Sequence, residues 1–294
     1  MNKLYIISAS RRTDLISFFF DYLYNALKNE QAEVLGPYGY KYKVNLSPSN
    51  VHTLVLWSKN FINLINNRRN IQELLKKYTQ SYFLFTITGL GSSIMEKAIP
   101  PPDKTLKQIK ILTELFGSKR VAIRFDPIIF YKENGKEKTN FYFFEKLVNY
   151  VEKANINKII FSFVQYYEKV IKRLKYIGIE PMDLSEEDKM LYVEKMLDII
   201  KTTNIKLYSC SQDFLLSIEG IKKSKCIDAE YLSEIHPLKW KIEYKKDKGQ
   251  RKECGCSESK DIGSYSQACP IPCLYCYANS RIKITYESTK FRRD

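Results

Sequence analysis

Histidine is nearly absent: the 294-residue chain carries two, His52 at the start of an apolar run and His236 just before Pro237. A histidine-based metal site or a Ser-His-Asp triad therefore has little to be built from. The 11 glycines form no phosphate-cradling loop of either standard type, which argues against P-loop and dinucleotide-binding chemistry. No stretch reaches the apolar length of a membrane helix. The run Leu4-Tyr5-Ile6-Ile7 is too short for a signal peptide and leads into Ser8-Ala9-Ser10-Arg11-Arg12 without a cleavage site. The expectation is a cytoplasmic protein with no membrane association. Internal repeats and low-complexity linkers are also missing, so the chain reads as one large domain, or one domain with an appendage. No cysteine precedes Cys210.

What is present is concentrated near the end. All 7 cysteines fall in the last third, an odd number that in a reducing compartment argues for metal rather than disulfides. Three of them stand on one Pro-stiffened stretch, Cys269-Pro-Ile-Pro-Cys273-Leu-Tyr-Cys276-Tyr277-Ala278-Asn279, spaced C-x3-C-x2-C. A structural zinc site needs four protein ligands, commonly as two C-x2-C pairs. Three grouped thiolates suit instead a cubane iron–sulfur cluster whose fourth iron stays open to a small ligand.

Elsewhere, short apolar runs alternate with amphipathic segments at helical spacing. The predicted strands are Leu4–Ser8, Thr53–Trp57, Tyr82–Ile87, Arg120–Phe125, Lys158–Val164 and Lys206–Ser209. The predicted helices are Asp14–Leu27, Phe61–Tyr78, Thr105–Phe116, Phe141–Ala154, Glu168–Ile177 and Glu186–Thr203, with a short one after the sixth strand. Six such units with near-continuously apolar strands imply an α/β fold with a parallel sheet, curved into a partial (β/α)6 TIM-like barrel. Ala32–Ser47 reads as a hairpin turning at Gly36-Pro37-Tyr38-Gly39 and, with the tail, is expected to enclose the barrel mouth. The barrel is assigned to residues 1–221, and residues 222–294 to a cysteine-rich cap that carries the cluster loop.

The local text CxxxCxYCYAN resembles the spore-photoproduct-lyase-like branch of the radical S-adenosylmethionine (SAM) enzymes. In that branch an open iron of a [4Fe-4S] cluster binds SAM and cleaves it to a 5′-deoxyadenosyl radical. Phe85-Thr86-Ile87-Thr88, Glu96, Pro100, Leu115, Gly117 and Val121-Ala122-Ile123-Arg124-Phe125-Asp126-Pro127-Ile128-Ile129 are similar to the same branch, so the likeness covers about half of the chain. Ile7-Ser8-Ala9-Ser10-Arg11-Arg12-Thr13-Asp14, Cys254-Gly-Cys256 and Asp261-Ile262-Gly263 resemble domain of unknown function 1848. One feature departs from the radical-SAM pattern: the cysteine loop follows the sixth strand instead of the first, as though the tail folds back beside strand one.

The resemblance implies Cys269, Cys273 and Cys276 as cluster ligands, with Tyr275 shielding the cluster, lying near the adenine, or simply filling core. SAM contacts are expected from strand ends: Arg11, Arg12 and Asp14 after strand one, Ser58, Lys59 and Asn60 after strand two, Thr88, Arg124, Asp126, Ser162 and Gln165 after strands three to five. Plainer roles stay open: Arg11 and Arg12 for a substrate anion, Asp14 as a helix cap, Asp126-Pro127 as a turn. Cys210, Cys226, Cys254 and Cys256 add up to a tetrathiolate set for a second [4Fe-4S] cluster or zinc, or include inert buried thiols or a hydrogen-atom donor.

The net charge of +15, densest from Lys239 to Lys252, suits a nucleic-acid partner or an evenly solvated surface. The expectation is a radical SAM enzyme acting on a nucleic acid or nucleotide, with a reductase or a ferredoxin- or flavodoxin-type electron donor. A peptide or small metabolite is nearly as well supported as the substrate. Two readings from other classes remain: a zinc-containing nucleic-acid-binding protein, and an iron–sulfur electron-transfer or redox-sensing protein that does not use SAM.

Overall fold

The alternation of apolar runs is realised as one parallel sheet in a computed structural model, which describes residues 4–270 and 272–278. Its strands are β1 (Tyr5–Ala9), β2 (Val51–Ser58), β3 (Ser81–Thr86), β4 (Val121–Ile128), β5 (Lys158–Phe163), β6 (Lys206–Ser209), β7 (Ile221–Lys223) and β8 (Lys260–Asp261). Their spatial order is β7-β6-β5-β4-β3-β2-β1-β8, with every neighbouring pair parallel. Among the described residues no pairing joins β7 to β8, so the sheet they form is open.

Seven strands follow chain order without reversal. Right-handed crossovers in one direction place successive helices on the same face of a sheet. That face holds Leu54, Leu56, Phe83, Phe85, Ile123, Phe125, Ile159 and Phe161 under apolar helix residues such as Leu23, Ile109, Leu147 and Met196. The helices along this part of the chain are α1 (Leu15–Phe18), α2 (Phe20–Lys28), α3 (Ile62–Ile65), α4 (Ile71–Lys76), α5 (Pro102–Phe116), α6 (Phe143–Lys153), α7 (Glu168–Tyr176) and α8 (Glu186–Ile200). Of these, α7 packs on a separate cluster at the sheet end, with Leu90, Met95 and Tyr275.

The opposite face carries Ile6, Val55, Trp57, Leu84, Ala122 and Ile160. It is covered by the chain after β7, including α9 (Ala229–Glu234) and Cys226, Cys254 and Cys256. The cysteine-rich cap thus lines the inner face of the sheet as part of the fold.

Several expected elements are broken or extended. The first helix is divided at Phe19, whose backbone leaves helical values. The second is cut by Asn67, Arg69 and Asn70 in left-handed conformations, which Asn tolerates better than most residues. The connection after β4 forms two strands, Phe130–Glu133 and Lys136–Thr139, of a three-stranded antiparallel sheet whose third strand, Ile179–Pro181, follows the helix Glu168–Tyr176. The expected hairpin forms from Gln31–Leu35 and Lys41–Asn45.

The returning tail is anchored by a short segment. β8 pairs with β1 through Ile7↔Lys260 and Ser8↔Asp261, and Ile262 donates its N–H to the Ser8 carbonyl at 2.9 Å. The Asp261 carboxylate accepts from the Ser8 hydroxyl (2.8 Å), the Ser10 hydroxyl (2.7 Å) and the Arg11 N–H (2.9 Å). A Cβ at position 263 would stand 2.0 Å from Ser10 Oγ, so glycine is required for this approach. Beyond it, the chain leaves the sheet at the carboxyl end of β1.

Candidate functional site

The carboxyl ends of β1, β2, β4 and β5 surround a cleft of about 280 Å³, with the cysteine loop as its further wall. Arg11, Arg12, Ser58, Lys59, Arg124, Asp126, Ser162, Gln165 and Tyr275 line it together with Cys269, Cys273 and Cys276. Thr88 does not reach it. The hairpin contributes no lining residue either; it backs the loop after β8, with Leu35 N–H bonded to Ser264 Oγ at 3.0 Å and Tyr265 N–H to the Leu35 carbonyl at 3.0 Å.

The cysteine loop is held at three points. The Arg173 guanidinium donates to the carbonyls of Leu274 (2.7 Å) and Cys276 (2.9 Å), and Leu274 N–H bonds the Met95 carbonyl at 3.0 Å. Cys269 Sγ lies 3.4 Å from Thr13 Oγ1. At the third point a buried carboxylate, Glu96, gathers Lys59 Nζ (2.8 Å), Thr88 Oγ1 (2.7 Å) and the Tyr275 hydroxyl, while Lys59 also reaches Tyr275 at 2.9 Å. Burial works against the Lys59 charge, but Glu96, with Cys273 and Asp126 adding to it, more than offsets that, so the ammonium is held above its ordinary pKa. Tyr275 is therefore tied into a polar network, beyond simple core filling.

The three thiols make no hydrogen bond to one another. Burial raises Cys269 and Cys273 above the ordinary thiol value, the Glu96 charge adds to the rise at Cys273, and each feels Cys276 only through its charge. A bound cation would reverse this balance, because the thiolate is the form that ligates metal.

Across the cleft, Arg124 pairs with Asp126, whose other oxygen accepts from Ser162 Oγ. Arg124 and Arg11 both lie over the Trp57 ring, at 5.0 and 5.8 Å from its centroid. Arg11 is paired with Asp247, and Arg12 donates to the Gly263 carbonyl at 2.8 Å. Asp14, buried and raised in pKa by that burial, caps α1 and accepts from Ser58 Oγ and Lys59 N–H. Its oxygens are occupied by the fold, so the capping role is the one observed.

Cys210, Cys226, Cys254 and Cys256 form a separate group on the inner face of the sheet. Cys210 Sγ stands 4.0 Å from Cys226 Sγ. Cys226 lies well below the ordinary thiol value because it accepts from Cys210 and Cys256, and Cys254 is lowered to about 6 chiefly by Cys256. Among the described residues, no three Cys, His, Asp or Glu side chains are already arranged to hold a single metal ion.

A family model described as "Domain of unknown function (DUF1848)" matches residues 6–278, a span that includes β1, the cleft and both cysteine groups. The chain belongs to the DUF1848 family. No curated protein matches it.

Within this DUF1848 domain, several site residues escape sequence reasoning. Glu96 was legible only as one residue of a resemblance, with no role, because it follows a Gly/Ser-rich stretch where acids are ordinarily solvated, and Arg173 sits on α7 among surface lysines. Arg251 lines the cleft and bonds Gln165 Oε1 at 3.1 Å. Asp261 was legible only as part of a family string. Asn279, the last residue of the cysteine motif, lies outside the described residues. Among the described residues, no helix is long and apolar enough to cross a membrane.

Proposed function

We propose that this chain is a radical SAM enzyme built on a partial (β/α) barrel, with a [4Fe-4S] cluster on Cys269, Cys273 and Cys276 and SAM in the adjoining cleft. One observation carries the reading: β8 delivers the three-cysteine loop to the strand ends beside β1, where its thiols line the same cleft as Arg11, Arg12, Lys59, Arg124 and Asp126. A strand inserted beside β1 stands where a preceding strand of the barrel would stand, so the late position of the motif in the chain does not move it away from the mouth.

The residues present fit a cluster better than a structural zinc. Three thiols share the wall without hydrogen-bonding one another, and among the described residues no fourth Cys, His, Asp or Glu completes a metal-holding group with them, which leaves one metal position open. When bound, the cluster supplies the electron that cleaves SAM to a 5′-deoxyadenosyl radical. The protein's own groups bind and enclose. Arg12, Arg11 and Arg124 offer cationic donors to a carboxylate, and Asp126 and Ser162 offer acceptors to ribose hydroxyls. Arg173 and the Glu96 network hold the loop against the sheet, and Tyr275 and Tyr277 close its side of the cleft against water. The cationic rim and the net charge of +15 favour a nucleic acid or nucleotide substrate, with reducing equivalents from a ferredoxin- or flavodoxin-type donor in the cytoplasm.

Anaerobic reconstitution with iron and sulfide, reduction, and incubation with SAM test the proposal. The expected product is 5′-deoxyadenosine, lost in Cys273→Ala. Zinc without iron at this loop, or no SAM cleavage from fully loaded and reduced protein, would overturn it.

A further inference from the structure

We infer that Cys210, Cys226, Cys254 and Cys256 form a second metal centre, tetrathiolate in its ligands and enclosed between the sheet and its inner cover. This inference is independent of the SAM reading, because none of these thiols belongs to the cysteine loop. The four come from three separate places: the end of β6, the turn after β7 and the C-x-C beside Gly255. Cys226, Cys254 and Cys256 are buried in one apolar cluster with Trp57, Leu84 and Ile160. Lone buried cysteines are ordinary, but four brought into one cluster from distant segments are a donor set.

The surroundings carry the opposite charge. Arg11 and Arg124 approach from the cleft side, each with one carboxylate partner, and each keeps a buried nitrogen, Arg11 Nη2 and Arg124 Nε, without a hydrogen bond. A buried donor left unpaired is costly, and four thiolates on a metal form a compact anion able to accept from both. Lys158, also buried, donates a long 3.5 Å bond to the Lys225 carbonyl, stands over the Tyr208 and Tyr231 rings, and adds a third cation on the same face. The thiols contact in sequence, Cys210 to Cys226 to Cys256 to Cys254, and a bound metal would be held by all four. The ligand class is a thiophilic metal centre, either an iron–sulfur cluster or one zinc ion, and the two differ in stoichiometry.

The test uses full-length protein in which Cys269, Cys273 and Cys276 are all replaced by Ala, purified anaerobically and reconstituted. Either roughly four irons with about four sulfides per chain or about one zinc per chain supports the centre and tells the two apart. Adding Cys256→Ala should then remove that metal. In wild-type protein, alkylation mapped peptide by peptide serves as a check that needs no substitution. Cys210, Cys226, Cys254 and Cys256 should be protected together, at least tenfold slower after loading, and freed together by a chelator. Metal absent from the triple variant, with the four thiols alkylated at the same rate before and after loading, would overturn the inference whether or not the cysteine loop supports SAM cleavage.

Discussion

The two cysteine groups have the same chemistry and opposite settings. Cys269, Cys273 and Cys276 occupy a loop held by a few polar bonds and by the small apolar cluster around Tyr275, and they face a cleft. Cys210, Cys226, Cys254 and Cys256 sit in the apolar cover of the sheet, in contact with one another and facing buried guanidinium groups. A three-thiol set at a cleft leaves a position for a reacting ligand, whereas a four-thiol set in a core completes its own coordination and supports the fold or relays electrons. Arg11 and Arg124 lie between the two groups and belong to both environments.

This contrast can be broken experimentally. The largest effect is expected for Cys273→Ala, which should lower SAM cleavage by more than about 100-fold, since the metal chemistry is lost with the ligand. Metal at the inner group should be unchanged, as judged by stoichiometry in anaerobic samples. Equal metal loss at both groups would show that the two are not separate. Next comes Glu96→Ala, which leaves the Lys59 ammonium, 18% exposed, without its carboxylate. Unfolding free energy should fall by about 3 kcal/mol, read from denaturant curves. The loss should be smaller in Glu96→Gln, which keeps an acceptor.

A smaller effect should follow Arg173→Ala, which removes two carbonyl contacts from the loop, worth about 1.5–3 kcal/mol to loop docking. Limited proteolysis should then cut near residues 270–276 while the inner group stays protected. Cleavage at the two groups together would show that the loop is not an independently docked unit.

The smallest effect concerns the inner cover alone. His52 donates through Nε2 to the Trp240 carbonyl (3.1 Å), and its ring lies tilted 4.6 Å from that of His236. Burial depresses both imidazoles, His236 to about 4 from the ordinary 6.5. Because the unfolded chain takes up protons first, the stability from these neutral rings is present above about pH 6.5 and is lost as pH falls toward 4. Melting temperature should decline across that window in wild type and decline less in a His52→Asn, His236→Asn double variant.

Much of the layout was legible because it is local. Continuous apolar runs such as Thr53–Trp57 and amphipathic spacing such as Phe141–Ala154 state their element type through periodicity alone, and the observed β2 and α6 match them within about two residues. The helix expected over Phe61–Tyr78 was misread, since the Asn-Asn-Arg-Arg-Asn tract lets the backbone turn left-handed inside an otherwise helical pattern. β8 carried no apolar signal: Lys260 and Asp261 are polar and make a strand only because β1 offers an edge and Ser8, Ser10 and Arg11 offer donors to Asp261. Of the eleven SAM-contact residues expected after strand ends, nine line the cleft, while Thr88 instead bonds Glu96 and Asn60 Oδ1 accepts from Gln108 Nε2 at 2.8 Å.

By itself the sequence determined the strand–helix alternation, the thiol spacing C-x3-C-x2-C and the crowding of every cysteine into the last third. Those are properties of neighbouring residues, set by side-chain hydrophobicity and loop length. Only the tertiary structure decided that the tail returns beside β1, that one cysteine group faces a cleft and the other a core, and that Glu96 and Arg173 hold the loop. Such contacts join residues up to 256 positions apart, where no local pattern reports which edge or which buried carboxylate will be met.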